Sequence, residues 1–250
     1  MARMPEGPPP PPAVQKLRLR YAKRGRLRFS SHRDFQRALE RALRRAEVPM
    51  AYSAGFRPHP KISFANAAPT GTASEAEYVE ISLTTRCDPG AVRRALDESL
   101  PPGLDVLEVV EAGPGALADR LEASEWVVEL PGADRSQAEA AVRALMARGE
   151  APVQRLTKTG PRPLDARGPV VSLAVRPQAA GDQVAGDAGP VLHLVVRHVT
   201  PTVRPAEVLA ALAAEGLALP VPPRATRLGQ GPLVDGAVTD PLAREARVDG

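Results

Sequence analysis

Hydrophobic and polar positions alternate with a period of two near the start of the chain. Over Lys16–Tyr21, Leu17, Leu19 and Tyr21 share one face, and Lys16, Arg18 and Arg20 share the other. After Ala22–Gly25 the alternation resumes, with Leu27 and Phe29 against Arg26 and Arg28. The pattern predicts a bent or hairpin-like strand pair, with one apolar face and one carrying four arginines. The period then lengthens to that of a helix. Phe35, Ala38, Leu39, Ala42, Leu43 and Ala46 recur at i, i+3, i+4 and i+7 spacing, which predicts a helix over residues 32–46. Ser31 suits its N-cap, with Asp34 as capping-box partner. Arg33, Arg37, Arg41 and Arg44 fall on the face opposite the apolar stripe.

A Gly/Pro-punctuated stretch follows at residues 52–64, with a short strand expected around Lys61–Asn66. The polar run before Glu77 reads as a loop, and residues 77–83 read as a strand. Asp88-Pro89 opens a second helix to about Ser99, and Val106–Val110 makes a further strand. This order, strand-helix-strand-strand-helix-strand, is that of a split βαβ or ferredoxin-like domain. It recurs after a joint at Ala112–Gly115, with strands at 125–130, 153–158, 170–176, 191–198 and 224–228 and helices at 136–148 and 205–214. One strand is surplus. The expected class is α+β, as tandem ferredoxin-like domains with antiparallel sheets. Residues 1–13 read as a disordered Pro-rich arm, 14–112 as a basic first domain and 113–234 as a second, with a flexible loop at 177–190 and a loose tail at 235–250.

Charge alters the picture because it is concentrated. Residues 14–61 hold 14 Lys/Arg against three acids, a net of +11, while the rest of the chain holds 19 against 26, a net of −7. Such an asymmetry is what a polyanion-binding surface requires. The arginines Arg18, Arg20, Arg26 and Arg28 on strands, and Arg33, Arg37, Arg41 and Arg44 on the helix, are the candidate phosphate contacts. Aromatic residues are only 3% of the chain, which argues against base stacking as the principal mode of contact.

Reactive chemistry is sparse. Cys87 is the only cysteine, so the chain can form no internal disulfide and cannot itself hold an iron–sulfur cluster. No Walker spacing or dinucleotide fingerprint accompanies the Gly-rich GTG and AGPG stretches, and no cofactor is expected. His32 and His59, each at an element boundary, are candidate acid/base or phosphate-contacting groups, with Lys61 as a cationic companion. His193 and His198 stand among apolar neighbours and read as structural. His32 with Asp34, and Glu75 with Glu77, could offer metal ligands, but the first pair points to different helix faces and the second reads as a solvated loop, so no metal site is expected. No apolar run reaches membrane length and the start GPPPPP is unlike a signal peptide, so a cytoplasmic, membrane-free location is expected.

One stretch has a specific signature. Arg28-Phe29 precedes Ser31-His32-Arg33-Asp34 and the run Glu40-Arg41-Ala42-Leu43-Arg44-Arg45. Then come Tyr52-Ser53-Ala54-Gly55-Phe56-Arg57-Pro58-His59-Pro60-Lys61-Ile62-Ser63-Phe64 and Ser74-Glu75-Ala76-Glu77-Tyr78. Over about residues 16–83 this resembles the uncharacterised radical-SAM-associated proteins, which occur fused to or encoded beside radical-SAM proteins. Arg33 and Arg57 depart from the family's usual apolar residue and Asn. The resemblance implies a neighbourhood in RNA metabolism, and with the arginine-rich segment it leads to the expectation of an RNA-binding accessory protein in tRNA or rRNA modification, partnered in trans by a radical-SAM iron–sulfur protein. Two rival readings are a metal-independent RNA-processing or RNA-modifying enzyme using His32, His59 and Lys61, and an assembly factor that never touches RNA.

Overall fold

The computed structural model describes residues 10–176 and 189–243. The chain is α+β with mostly antiparallel strands and divides into two compact units, Met1–Arg120 with Pro241–Gly250, and Leu121–Asp240. The division falls beyond the Ala112–Gly115 joint expected from the glycines.

Unit 1 runs β1 (Gln15–Lys23), α1 (His32–Arg45), β2 (Ile62–Ala65), β3 (Ala73–Leu83), α2 (Pro89–Ser99) and β4 (Val106–Glu111). Its strands lie in the order β4-β1-β3-β2, each antiparallel to its neighbour. The alternation in β1 does what its period requires. Leu17, Leu19 and Tyr21 pack with Val79, Ile81 and Leu83 of β3 under Phe35, Leu39 and Leu43 of α1 and Val92 and Leu96 of α2. Tyr21 stacks on Phe35 at 4.1 Å between ring centroids, and Phe64 of β2 meets Phe35 edge-on.

Three expectations for this unit need correction. Residues 26–29 are not a strand: Gly25–Phe29 form a 3-10 turn in which Leu27 N donates to Arg24 O and Ser30 N to Leu27 O. Gly25, at φ +53°, turns the chain away from the sheet after Lys23, and four alternating residues are too few to outweigh that turn. β3 begins at Ala73, not Glu77. Glu75 and Glu77 therefore lie on a central strand and not in a solvated loop. Glu75 is ion-paired with Arg24, and Glu77, 2% exposed, accepts from Ala68 N.

Unit 2 repeats the order with an insertion: β5 (Ala123–Glu129), α3 (Arg135–Ala147), β6 (Pro152–Thr157), β7 (Gly160–Asp165), β8 (Val170–Val175), β9 (Val191–Arg197), α4 (Pro205–Ala214) and β10 (Arg224–Gly231). Its sheet order is β10-β5-β9-β8, while β6 and β7 pair only with each other. The surplus strand is thus half of an inserted ribbon. Trp126, Val128, Leu192, Leu194 and Val196 face Ala138, Leu145, Val208 and Leu212 of the helices. Residues 235–243 are not a loose tail, because Ala237–Val238 pairs with Leu233–Val234 and Leu242 is fully buried. Most of the expected arm, nearly all of the 177–190 loop and residues 244–250 lie outside the described residues.

Candidate nucleic-acid interface

The strand arginines do not form an open face. Arg18 is 1% exposed; its Nε donates to Glu80 at 3.0 Å and its Nη2 to the carbonyl of Gly115. Lys16 reaches the same Glu80 carboxylate at 3.1 Å. Arg20 donates to Glu75 O at 2.9 Å, and Arg28 to Gly71 O at 2.8 Å. These guanidiniums are held by unit 1's own acceptors, so the expectation of four exposed strand arginines is corrected, and only Arg26 among them is exposed. A period of two separates faces but cannot say which face solvent reaches.

The helix arginines meet the expectation geometrically. Arg33, Arg37, Arg41 and Arg44 are all exposed on α1, opposite buried Phe35, Leu39, Ala42 and Leu43. With 11 steps of ~1.5 Å between Arg33 and Arg44, the stripe is about 16 Å long. The guanidiniums of Arg33, Arg41, Arg44 and the neighbouring Arg45 make no hydrogen bond or ion pair with any described residue. Glu40, the acid beside the stripe, instead accepts from Gln36 at 2.9 Å. Asp34 is engaged at the cap, where Ser31 and Asp34 form a reciprocal box. The Ser31 hydroxyl and backbone N–H, with Arg37 nearby, hold the Asp34 carboxyl below its usual range.

His32, His59 and Lys61 are not brought together. His32, exposed at the first position of α1, lies edge-on to Phe64 at 4.6 Å. His59 and Lys61 lie before the other end of β2. Four residues of extended chain from Pro60 to Phe64 cover about 13 Å, too far for a shared proton. The rest of the motif is mainly architectural. Ser53 N donates to His59 O at 2.8 Å, His59 N donates to Ser53 Oγ at 3.0 Å, and Tyr52 bridges Pro60. Ser63 faces Glu80 across β2 and β3, while Tyr78 is buried on β3. Gly55, Phe56 and Pro58 form an exposed loop tip. Among the described residues no group of three His, Cys, Asp or Glu could hold a metal ion, and no helix is long and apolar enough to cross a membrane.

Composition had set the aromatics aside, but three are exposed here: Phe29 at 67%, Tyr52 at 38% and Phe56 at 68%. A signal was available in the sequence for Phe56, which falls outside any period that would bury it, whereas Phe29 sits in the alternation that placed it on the apolar face. The imidazoles of unit 2 are structural. His198 Nδ1 donates to Leu121 O and its Nε2 accepts from Ser124 Oγ, both at 2.6 Å. Burial, reinforced by Arg227 and only partly opposed by the Leu121 carbonyl, pushes the His198 imidazole down. His193 pairs with Glu125 at 2.6 Å.

The model of a family described as "Uncharacterized protein conserved in bacteria (DUF2344)" matches residues 16–205. The chain belongs to this family of proteins with a domain of unknown function. The match takes in all of the motif stretch and most of unit 2. No curated protein matches the chain.

Proposed function

We propose that this chain is a cytoplasmic RNA-binding accessory protein, built from two ferredoxin-like units, that serves a radical-SAM-linked tRNA or rRNA modification system. The observation that carries the reading is the arginine stripe of α1. Unpaired guanidiniums at one-turn spacing offer planar donor forks to successive phosphates and sacrifice no internal ion pair on binding. The motif resemblance supports the radical-SAM connection. The lone Cys87 cannot supply the three thiolates of such a cluster, so the reading places the cluster outside residues 1–250.

Titrating the protein against RNA at several salt concentrations tests the reading. Each phosphate contact to a single strand contributes about −0.7 to the slope of log K against log salt, so four contacts give about −3. A flat salt response, or no RNA binding at low salt, overturns it.

A further inference from the structure

The eight aromatic side chains of this protein are one Trp, three Tyr and four Phe. Five serve packing, and the three exposed ones all lie between residues 29 and 56, inside the basic segment. A single exposed ring is ordinary. Seven of the eight lie between residues 21 and 78, so it is the exposure of Phe56 and Tyr52 in one loop, and not their place in the chain, that needs a reason.

Phe56 is the best presented. The Ser53–His59 hydrogen bonds and the Tyr52–Pro60 bridge close its loop at the base. At the tip Gly55 sits at φ +128°, where a side chain would strain the backbone although nothing lies within 4 Å of its missing Cβ. The tip is therefore turned by its backbone, and the ring is held out instead of folding onto the core. Arg57, His59 and Lys61 flank it, all exposed and with side chains that bond to no described residue. Six residues separate Arg45 from Tyr52. Met50 bridges Leu83, and Lys61 N donates to Ala51 O, which sets the loop at the end of the sheet where α1 finishes. Arg41, Arg44 and Arg45 are thus at the same end as the ring.

We propose that Phe56, with Tyr52 at the loop base, stacks on unpaired RNA bases while Arg41, Arg44, Arg45 and Arg57 engage the adjacent phosphates. The ligand class is single-stranded RNA or an unpaired loop, and not a continuous duplex. A ring projecting from a loop meets a base face only where that base is unstacked, since an A-form helix keeps its base faces covered and its major groove closed to side chains. This inference rests on the RNA reading and narrows it.

The test uses the full chain with a short unstructured RNA carrying 2-aminopurine, and with a duplex of equal length. The expected result is a fluorescence change on binding the single strand. Phe56→Ala should weaken that binding roughly 5- to 150-fold, the range for one lost stacking contact. Phe56→Trp should restore it, and duplex affinity should be the same for all three proteins. If Phe56→Ala binds the single strand like wild type, or loses duplex binding equally, the stacking inference fails while RNA binding stands. If Phe56→Ala retains RNA binding but loses a co-purifying protein, the ring is a protein contact and the inference is overturned. Absence of binding to either RNA overturns the underlying reading as well.

Discussion

The first helices of the two units hold the same place in the element order and carry opposite surfaces. Both are capped by a side chain accepting from the third residue onward, Ser31 from Asp34 N and Asp134 from Gln137 N. On α3, Arg135 donates to Glu139 one turn on and to the carbonyl of Arg176, and Arg148 just beyond the helix pairs with Glu215. On α1, Arg33, Arg37, Arg41 and Arg45 follow one another at four-residue spacing, and the two acids among them are engaged elsewhere, Asp34 at the Ser31 cap and Glu40 with Gln36. Like charges at i, i+4 cost roughly 0.2–0.5 kcal/mol per pair. Unit 2 therefore shows how this arrangement stabilises a helix surface, and unit 1 departs from it at a small cost in stability. A cost that the core does not require is expected where a surface serves a ligand.

The largest effect should come from removing that difference. Changing Arg33, Arg37, Arg41 and Arg44 to Gln should reduce single-strand affinity several hundredfold at about 0.1 M salt, the electrostatic share of four contacts, and flatten the salt slope by about 3. The matching change on unit 2, Arg135, Arg143 and Arg148 to Gln, should leave both nearly unchanged. Equal losses from the two sets would mean that net charge, and not the α1 stripe, drives binding. Arg18→Met tests the contrast within unit 1. It strips Glu80 of a buried partner at a cost of about 3 kcal/mol, which corresponds to a melting temperature lower by about 6–12 °C. RNA affinity of the folded protein should hold, measured by calorimetry and by titration below the melting temperature.

What was legible in the sequence follows the reach of each signal. Periodicity located β1, α1 and their apolar faces, because Leu17, Leu19, Tyr21, Phe35, Leu39 and Leu43 are buried by the same geometry that spaces them. The fate of the polar face is decided by distant chain. Arg18 is covered through Glu80 and Gly115, the latter 97 residues away, which no local window contains. The Arg26–Phe29 alternation misled for a related reason, since a turn after Gly25 and the contacts of Arg28 with Gly71 outweigh a four-residue pattern. The insertion of β7 escaped notice because Pro161 and Pro163 are poor strand residues, tolerated in a ribbon paired on one side only. The exposed Phe56 could have been found from its Gly/Pro surroundings, but a low aromatic content drew attention away from where the rings stand.

Unit 2 should show its own pH signature. Its half-buried His198 is held neutral, with Nδ1 donating to Leu121 O and Nε2 accepting from Ser124. A histidine whose folded pKa lies below its unfolded value takes up protons on unfolding, so its contribution is complete above about pH 6.5 and is lost as pH falls below that. The slope of stability between pH 7.5 and 5 should therefore decrease in His198→Gln, read by thermal melts across that range. An unchanged slope would remove His198 as its source.

The smallest expected effect concerns the two caps. Ser31→Ala deletes the hydroxyl that both accepts from Asp34 N and donates to the Asp34 carboxylate, and a lost Ser cap corresponds to a melting temperature lower by about 2–4 °C at neutral pH. Because Ser31 depresses the Asp34 carboxyl, the cap's contribution is present above the ordinary carboxylate range and fades as pH falls through the folded value. Wild type and variant should thus converge in acid. Asp134→Ala removes the corresponding cap of α3 and should behave alike, since Ser136 and Gln137 N lower the Asp134 carboxyl in the same manner. RNA affinity separates them. Fraying the first turn of α1 unsettles Arg33 at the end of the stripe and should weaken binding by a few-fold, whereas the α3 change should not register. If both caps alter RNA affinity equally, or neither does, the order of the α1 stripe is not what the RNA reads.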